Sequence, residues 1–363
     1  MRLIRPTASL AIGALLIAAA SCSSAAPTPP LIPQTLTPTT SATSSSVPAS
    51  VRIPTISSPA TTSPAITSPA TTTPADTPST SATSPSGTSL HCGAMSSGTH
   101  AIEVEGSART FEAVVPNGLG AAQGRRRAPV IVLFHGFADT AANFLATSGI
   151  GALAADHGVI VVAPQATGSP TSWHIGQPEF GDVEFTDAVL AQIRASSCVD
   201  TSAIWLAGFS AGSAWVGVYG CSHSDGVAGL LMHSGLPPPI CPAATTPNIM
   251  IVHGTADPVV PYDGGPQAVG DASVELQSVP ASAAGWASTA GCGPVAESRA
   301  VGASTITTWS HCAGGRTVSL QSVAGLGHAW SGGTAAPASL NPGCILVLHL
   351  TASADPVDGC GGG

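Results

Sequence analysis

Gly208-Phe209-Ser210-Ala211-Gly212 sets a serine between two glycines, directly after the strand-length apolar run Ala203-Ile204-Trp205-Leu206-Ala207. The residues that follow, 211–219, are small and apolar and suit a helix. A strand that reverses into a helix across a single residue needs close backbone approach on both sides, which glycine permits. The serine at the tip is pushed out above the sheet edge in a strained conformation. The same five residues also fit a Gly/Ser-rich loop, since the chain holds 41 glycines. The rest of the chain has to choose between these readings.

Other apolar runs of strand length are Pro129–Phe134, Val159–Ala163, Val227–Met232, Ile249–Val252 and Val318–Val323, with opening strands expected over 101–104 and 110–115. Their continuous, largely β-branched character is that of strands buried on both faces. Helix-like stretches at 141–155, 185–194 and 281–290 lie between several of them, the last just after Pro280. This alternation predicts an α/β fold, a mostly parallel sheet with helices on both faces.

Reactive groups in such sheets gather beyond the carboxyl ends of the strands. His253-Gly254-Thr255-Ala256-Asp257-Pro258 follows the run ending at Val252, and Gly325-Leu326-Gly327-His328-Ala329-Trp330 follows the run ending at Val323. Ser210, Asp257 and His328 therefore stand at three strand ends in the chain order nucleophile, acid, base of the α/β-hydrolase fold. A serine hydroxyl is a weak nucleophile, so His328 is expected to take its proton and return it to the leaving group. Asp257 is expected to hold the imidazole tautomer. Asp263 is the rival acid. His135 and His253 each end a strand before a glycine and read as structural. His157 precedes a strand, and the remaining histidines, His233 among them, lack the loop setting of His328. The backbone N–H groups of Phe137, after His135-Gly136, and of Ala211 are the candidate oxyanion donors.

The formal charge is -9, all ten basic residues are arginine, and the one basic cluster, 125–127, sits in a loop. That balance argues against a nucleic-acid partner. The nine cysteines contain no C-x-x-C zinc pattern, and no metal or cofactor is expected. Setting aside Cys22 leaves eight, an even number that an exported protein can pair. Cys292 with Cys312, bracketing one short insertion, is the expected bridge. Residues 1–21 read as an export signal, with Arg2 and Arg5 before an apolar core too short to span a bilayer. Ala19-Ala20-Ser21-Cys22 is similar to a lipobox with alanine in the usual leucine position. It predicts lipidation and a membrane anchor at Cys22, against the alternative of an ordinary cleaved signal. Residues 22–89 are almost wholly Ser, Thr, Pro and Ala and read as a disordered stalk, leaving 90–363 as one catalytic domain.

Phe134-His135-Gly136, Ala163-Pro164-Gln165, Ser172-Trp173, Gly181-Asp182-Val183, Gly208–Gly212, His253–Asp257 and Gly327-His328-Ala329-Trp330 together resemble the polyhydroxybutyrate depolymerase and feruloyl/acetylxylan esterase family of secreted α/β-hydrolases. The resemblance runs from about residue 92 to 333 and implies a metal-independent serine esterase acting on carboxylic esters. It implies that Trp173 and Trp330 line the substrate cleft, with core packing as the alternative, and that Asp182 is structural. Two departures stand out. Residues 334–363 are Pro/Gly-rich where the family closes with an amphipathic helix, leaving Cys344 and Cys360 as a possible staple. No polymer-binding domain is recognisable, which favours soluble or wall-linked esters over crystalline polyester. The expected protein is a surface-tethered serine ester hydrolase. Its rivals are a non-catalytic surface-binding lipoprotein on the same fold, and a peptidase or acyltransferase with the same triad.

Overall fold

The structure is a computed structural model, described for residues 95–117, 119, 127–175, 178–235, 241, 246–269, 272–336, 340–351 and 360. The segment expected to be an export signal, Cys22, the Ser/Thr/Pro/Ala-rich stretch and most of 352–363 lie outside these residues. In chain order the elements are β1 (Gly98–Val104), β2 (Ser107–Val114), β3 (Ala128–Phe134), α1 (Ala141–Ser148), α2 (Ile150–Asp156), β4 (Ile160–Pro164), β5 (Thr167–Gly168), β6 (Thr171–Ser172), α3 (Asp182–Ala195), β7 (Val199–Phe209), α4 (Ala211–Ser222), β8 (Gly229–His233), β9 (Asn248–Gly254), β10 (Gly265–Val269), β11 (Ala272–Leu276), α5 (Val279–Thr289), β12 (Ala296–Val301), β13 (Ser304–Trp309), β14 (Val318–Val323) and α6 (Pro342–Leu350).

Ten strands form one sheet in the order β1-β2-β4-β3-β7-β8-β9-β14-β13-β12. The inner strands from β4 to β14 run parallel, and an antiparallel hairpin closes each edge. Alternate residues of β3 feed two cores. Val130, Val132 and Phe134 belong to one core with Phe185 and Ile193 of α3, Trp215 of α4 and, farther along the sheet, Trp286 of α5. Ile131 and Leu133 face Phe144 of α1, Ile150 of α2 and Leu346 of α6. Burial on both faces is why these strands are unbroken apolar runs. The β12–β13 hairpin, by contrast, is largely solvent-exposed along β12, so its sequence AESRAV carries no such run.

The stretch expected as one helix over 141–155 is two. Gly149, at φ 72°, terminates α1 in the left-handed conformation and α2 starts immediately after it. Helix α5 begins one residue before Pro280, capped by Ser278, whose side chain accepts from the Ala281 N–H. The closing helix, in doubt from composition, is present as α6. Asn341 caps it, Pro342 occupies its first turn, and Ile345, Leu346, Val347 and Leu348 are buried. Gly343 lets it approach α2, because a methyl there would meet Ile150 at 2.4 Å. Disulfides join Cys292 to Cys312, Cys221 to Cys241 and Cys344 to Cys360.

Candidate active site

Ser210 stands between β7 and α4 at φ 53°, ψ -118°, a conformation that non-glycine residues adopt only under constraint. The constraint is steric and local. A Cβ on Gly208 would lie 2.3 Å from the Gly212 carbonyl oxygen, and one on Gly212 would lie 2.2 Å from that of Phe134. Gly235, just beyond β8, approaches from the other side, its notional Cβ 2.2 Å from the Ser210 carbonyl oxygen. The flanking glycines let α4 come down on the end of β3, and the serine is left projecting.

The His328 and Asp257 loops are tied to each other before they reach the serine. Thr255 N–H donates to Val323 O (2.9 Å), Ala256 N–H to Leu326 O (3.0 Å) and Gly325 N–H to the Thr255 hydroxyl (3.0 Å). Gly254 lies so close to Leu326 that a side chain would overlap its carbonyl. Within this frame Asp257 Oδ1 accepts from the Val259 and Val260 amides, each at 2.9 Å, and Oδ2 lies 2.8 Å from His328 Nδ1. Burial by itself would raise the Asp257 pKa. The hydrogen bonds from His328, Val260 and Val259 outweigh it and hold the carboxyl below its ordinary range. Asp257 is thus a carboxylate, so His328 Nδ1 carries the proton and donates. That leaves Nε2 to accept from the Ser210 hydroxyl at 2.9 Å. Asp263, the rival acid, is exposed.

Gly136 brings the turn after β3 against the serine, its notional Cβ 3.5 Å from Ser210 Cβ. Among the described residues neither the Phe137 nor the Ala211 backbone N–H has a hydrogen-bond partner. Ala211 opens α4, where the helix dipole favours negative charge. The turn is well anchored. Trp173 Nε1–H donates to His135 O (2.9 Å), Ala138 N–H to Thr171 O (2.8 Å), and the Thr171 hydroxyl to Asp139 O (2.7 Å).

Both tryptophans expected at the cleft are in the core. Trp173 is 4% exposed, edge-on to Phe134 and stacked with Trp215, and Trp330 is 5% exposed, stacked on His233 and edge-on to Phe144. Flat indoles at these strand ends fill space between sheet and helices, and Trp173 acts on the site through its N–H to the His135 carbonyl. Asp182 is buried, paired with Arg109 (2.8 Å) and accepting from the His174 amide (2.8 Å). Among the described residues no group of three or more His, Cys, Asp or Glu side chains is arranged to hold a metal ion.

The contribution that residue types alone did not reveal is a set of three buried histidines, at the ends of β3, β8 and β9. His135 Nδ1–H donates to Gly136 O (2.8 Å) while its Nε2 accepts from Ala166 N–H (3.1 Å), which fixes the Phe137 turn. His253 Nε2–H donates to Val260 O (2.8 Å) and lies 3.5 Å from Asp257 Oδ2. His233 reaches the His328 loop. The visible signal was a histidine closing each apolar run, which says nothing of which loop it will hold.

No family model matches the chain. Feruloyl esterase B of Piromyces equi is 27% identical over 217 residues, covering 57% of this chain and 40% of that protein. The putative esterase NocK of Nocardia uniformis subsp. tsuyamanensis is 30% identical over 231 residues, covering 57% of this chain and 66% of its own length. The chain therefore spans less than two thirds of either relative. An acetyl xylan esterase from Aspergillus awamori superposes with a TM-score of 0.50 at 14% identity, over 64% of this chain and 94% of that one. The chain has the α/β-hydrolase fold, similar in sequence to a feruloyl esterase and a putative esterase and in fold to an acetyl xylan esterase.

Proposed function

We propose that this protein is a serine carboxylic ester hydrolase with Ser210, His328 and Asp257 as nucleophile, base and acid. The observation that carries the reading is the continuous relay from Asp257 Oδ2 through the His328 ring to Ser210 Oγ, at 2.8 and 2.9 Å. His328 Nε2 takes the hydroxyl proton as Ser210 Oγ attacks the ester carbonyl, and the resulting imidazolium is stabilised by the Asp257 carboxylate. The developing oxyanion is received by the Phe137 and Ala211 N–H groups, neither of which has a partner among the described residues to give up. His328 then protonates the departing alcohol, leaving an acyl-enzyme. Water, deprotonated by the same nitrogen, releases the acid and restores Ser210.

The test is turnover of nitrophenyl acetate and butyrate, methyl ferulate, acetylated xylan and hydroxybutyrate oligomers, with a peptide anilide alongside. Wild-type protein is expected to hydrolyse one or more of the esters, and Ser210→Ala to lose at least about 10³-fold. Anilide cleavage without ester cleavage would turn the reading to a peptidase. No turnover at all would turn it to a binding protein.

The substrate is proposed to be met outside the cytoplasm. The disulfides among the described residues suit an oxidising compartment, and Ala19-Ala20-Ser21-Cys22 offers a site for a lipid anchor. Radiolabelled palmitate is expected to enter the protein in a bacterial host and to be absent from Cys22→Ala. Equal labelling of both would remove the anchor from the proposal.

A further inference from the structure

His233 is bonded to the backbone on both sides of the reacting pair. It ends β8, in the middle of the sheet, between the strand that leads to Ser210 and the strand that leads to Asp257. Its carbonyl oxygen accepts the Ser210 N–H at 2.9 Å. Its side chain turns the other way along the site. Nδ1–H donates to the Ser234 hydroxyl (3.0 Å), and Nε2 accepts the backbone N–H of Ser331 (3.0 Å), three residues past His328. The ring stacks on Trp330, 4.8 Å between centroids, and meets the edge of Phe209, the residue before Ser210, at 5.5 Å. Phe209 in turn lies 5.0 Å from the His328 ring.

We infer that His233 is a positioning residue that sets the distance between Ser210 Oγ and His328 Nε2, by using its unprotonated Nε2 to hold the base loop against the strand that also fixes the nucleophile. The inference rests on the esterase reading above. Two features single out the imidazole from ordinary core filling. The Ser331 N–H is buried with the rest of that residue, so without Nε2 it would lose its partner away from water. The backbone half of the arrangement, Ser210 N–H to His233 O, survives any side-chain change in the sheet interior. A substitution therefore releases only the base loop, and a base displaced by even an ångström is costly to the chemical step.

The experiment compares wild type, His233→Leu, His233→Met, His233→Gln and Ser210→Ala on nitrophenyl acetate, each checked by a thermal melt. It also follows the rate at which a fluorophosphonate probe labels the nucleophile, with activities expressed per titrated site. Leucine and methionine keep roughly the volume without a ring acceptor; the glutamine amide oxygen reaches about as far as Nε2. The expected result is a fall in kcat and in labelling rate of about 10- to 100-fold for leucine or methionine, with KM within about twofold. Glutamine is expected to return to within about threefold of wild type. Methionine carries the comparison where leucine does not fold. The inference is overturned if an acceptor-free variant that folds keeps wild-type kcat, if the change falls on KM, or if glutamine is impaired as much as leucine. If instead wild type neither hydrolyses the ester nor is labelled above the Ser210→Ala background, it is the esterase reading that fails.

Discussion

Asp257→Asn is expected to lower kcat by about 10⁴-fold while leaving the fold and KM nearly unchanged. The size follows from which oxygen is already committed. Oδ1 accepts two backbone N–H groups, from Val259 and Val260. An asparagine must put its carbonyl oxygen there, because its NH₂ has no acceptor role to offer two amide donors. The NH₂ then faces His328 Nδ1 where a carboxylate oxygen stood at 2.8 Å. Nδ1 is forced to accept, its proton moves to Nε2, and Nε2 now points an N–H at Ser210 Oγ. The imidazole is in place and in the wrong tautomer, unable to take the serine proton. Steady-state kinetics on a nitrophenyl ester, with a melting curve to show that the variant is folded, decides the matter. A loss below about tenfold would mean that Asp257 does not set the tautomer.

The protein is expected to lose stability steeply as pH falls from neutrality toward 5. His135, His233 and His253 all have pKa values below the ordinary histidine value, in each case chiefly because burial disfavours the charged ring. For His233 the neighbouring His253 and His328 push further down and Asp257 pulls back. For His253 the Val260 carbonyl and Asp257 pull back without restoring it. Unfolded, these side chains take up protons near pH 6.5, whereas the folded protein resists them. Below that pH the unfolded state binds more protons, so stability falls as pH falls. The slope is on the order of 1 kcal/mol per pH unit for each histidine. The depressed Asp257 acts in the same direction at lower pH: its stabilisation is present above about pH 4 and lost as pH falls through its folded value. Melting temperatures read by circular dichroism are expected to drop by at least about 5 °C between pH 7.5 and 5. A flat profile across that range would show that these rings are not held neutral. The physical reason for acid sensitivity is functional as well as structural. Protonating His135 or His233 abolishes the Nε2 acceptors that hold Ala166 and Ser331, and with them the turn after β3 and the His328 loop.

The sequence by itself determined the sheet and the chain order of the three residues, Ser210, Asp257 and His328, that meet at its strand ends. Strands buried on both faces must be continuous apolar runs, so β3, β4, β7, β8, β9 and β14 were visible one by one. Ser210, Asp257 and His328 could be placed at their ends by residue type and position, and the Cys292–Cys312 bridge by its span. The largely exposed β12 and the half-buried β13, paired through backbone with little apolar pattern, left no comparable trace. Nor did the break at Gly149, where a glycine within an apolar helical period reads as tolerated until φ turns positive. Only the tertiary structure decided what the other polar and aromatic groups of the site do. Trp173 and Trp330 carry cleft-like motifs yet are core, because side-chain direction is set by packing against Phe134, Trp215 and Phe144, residues that are distant in sequence from one or both indoles. His135, His233 and His253 look alike as strand-ending histidines, but their partners lie up to 98 positions away at Ser331. Hydrogen bonds of that span depend on three-dimensional registration between strands, which no local spacing encodes.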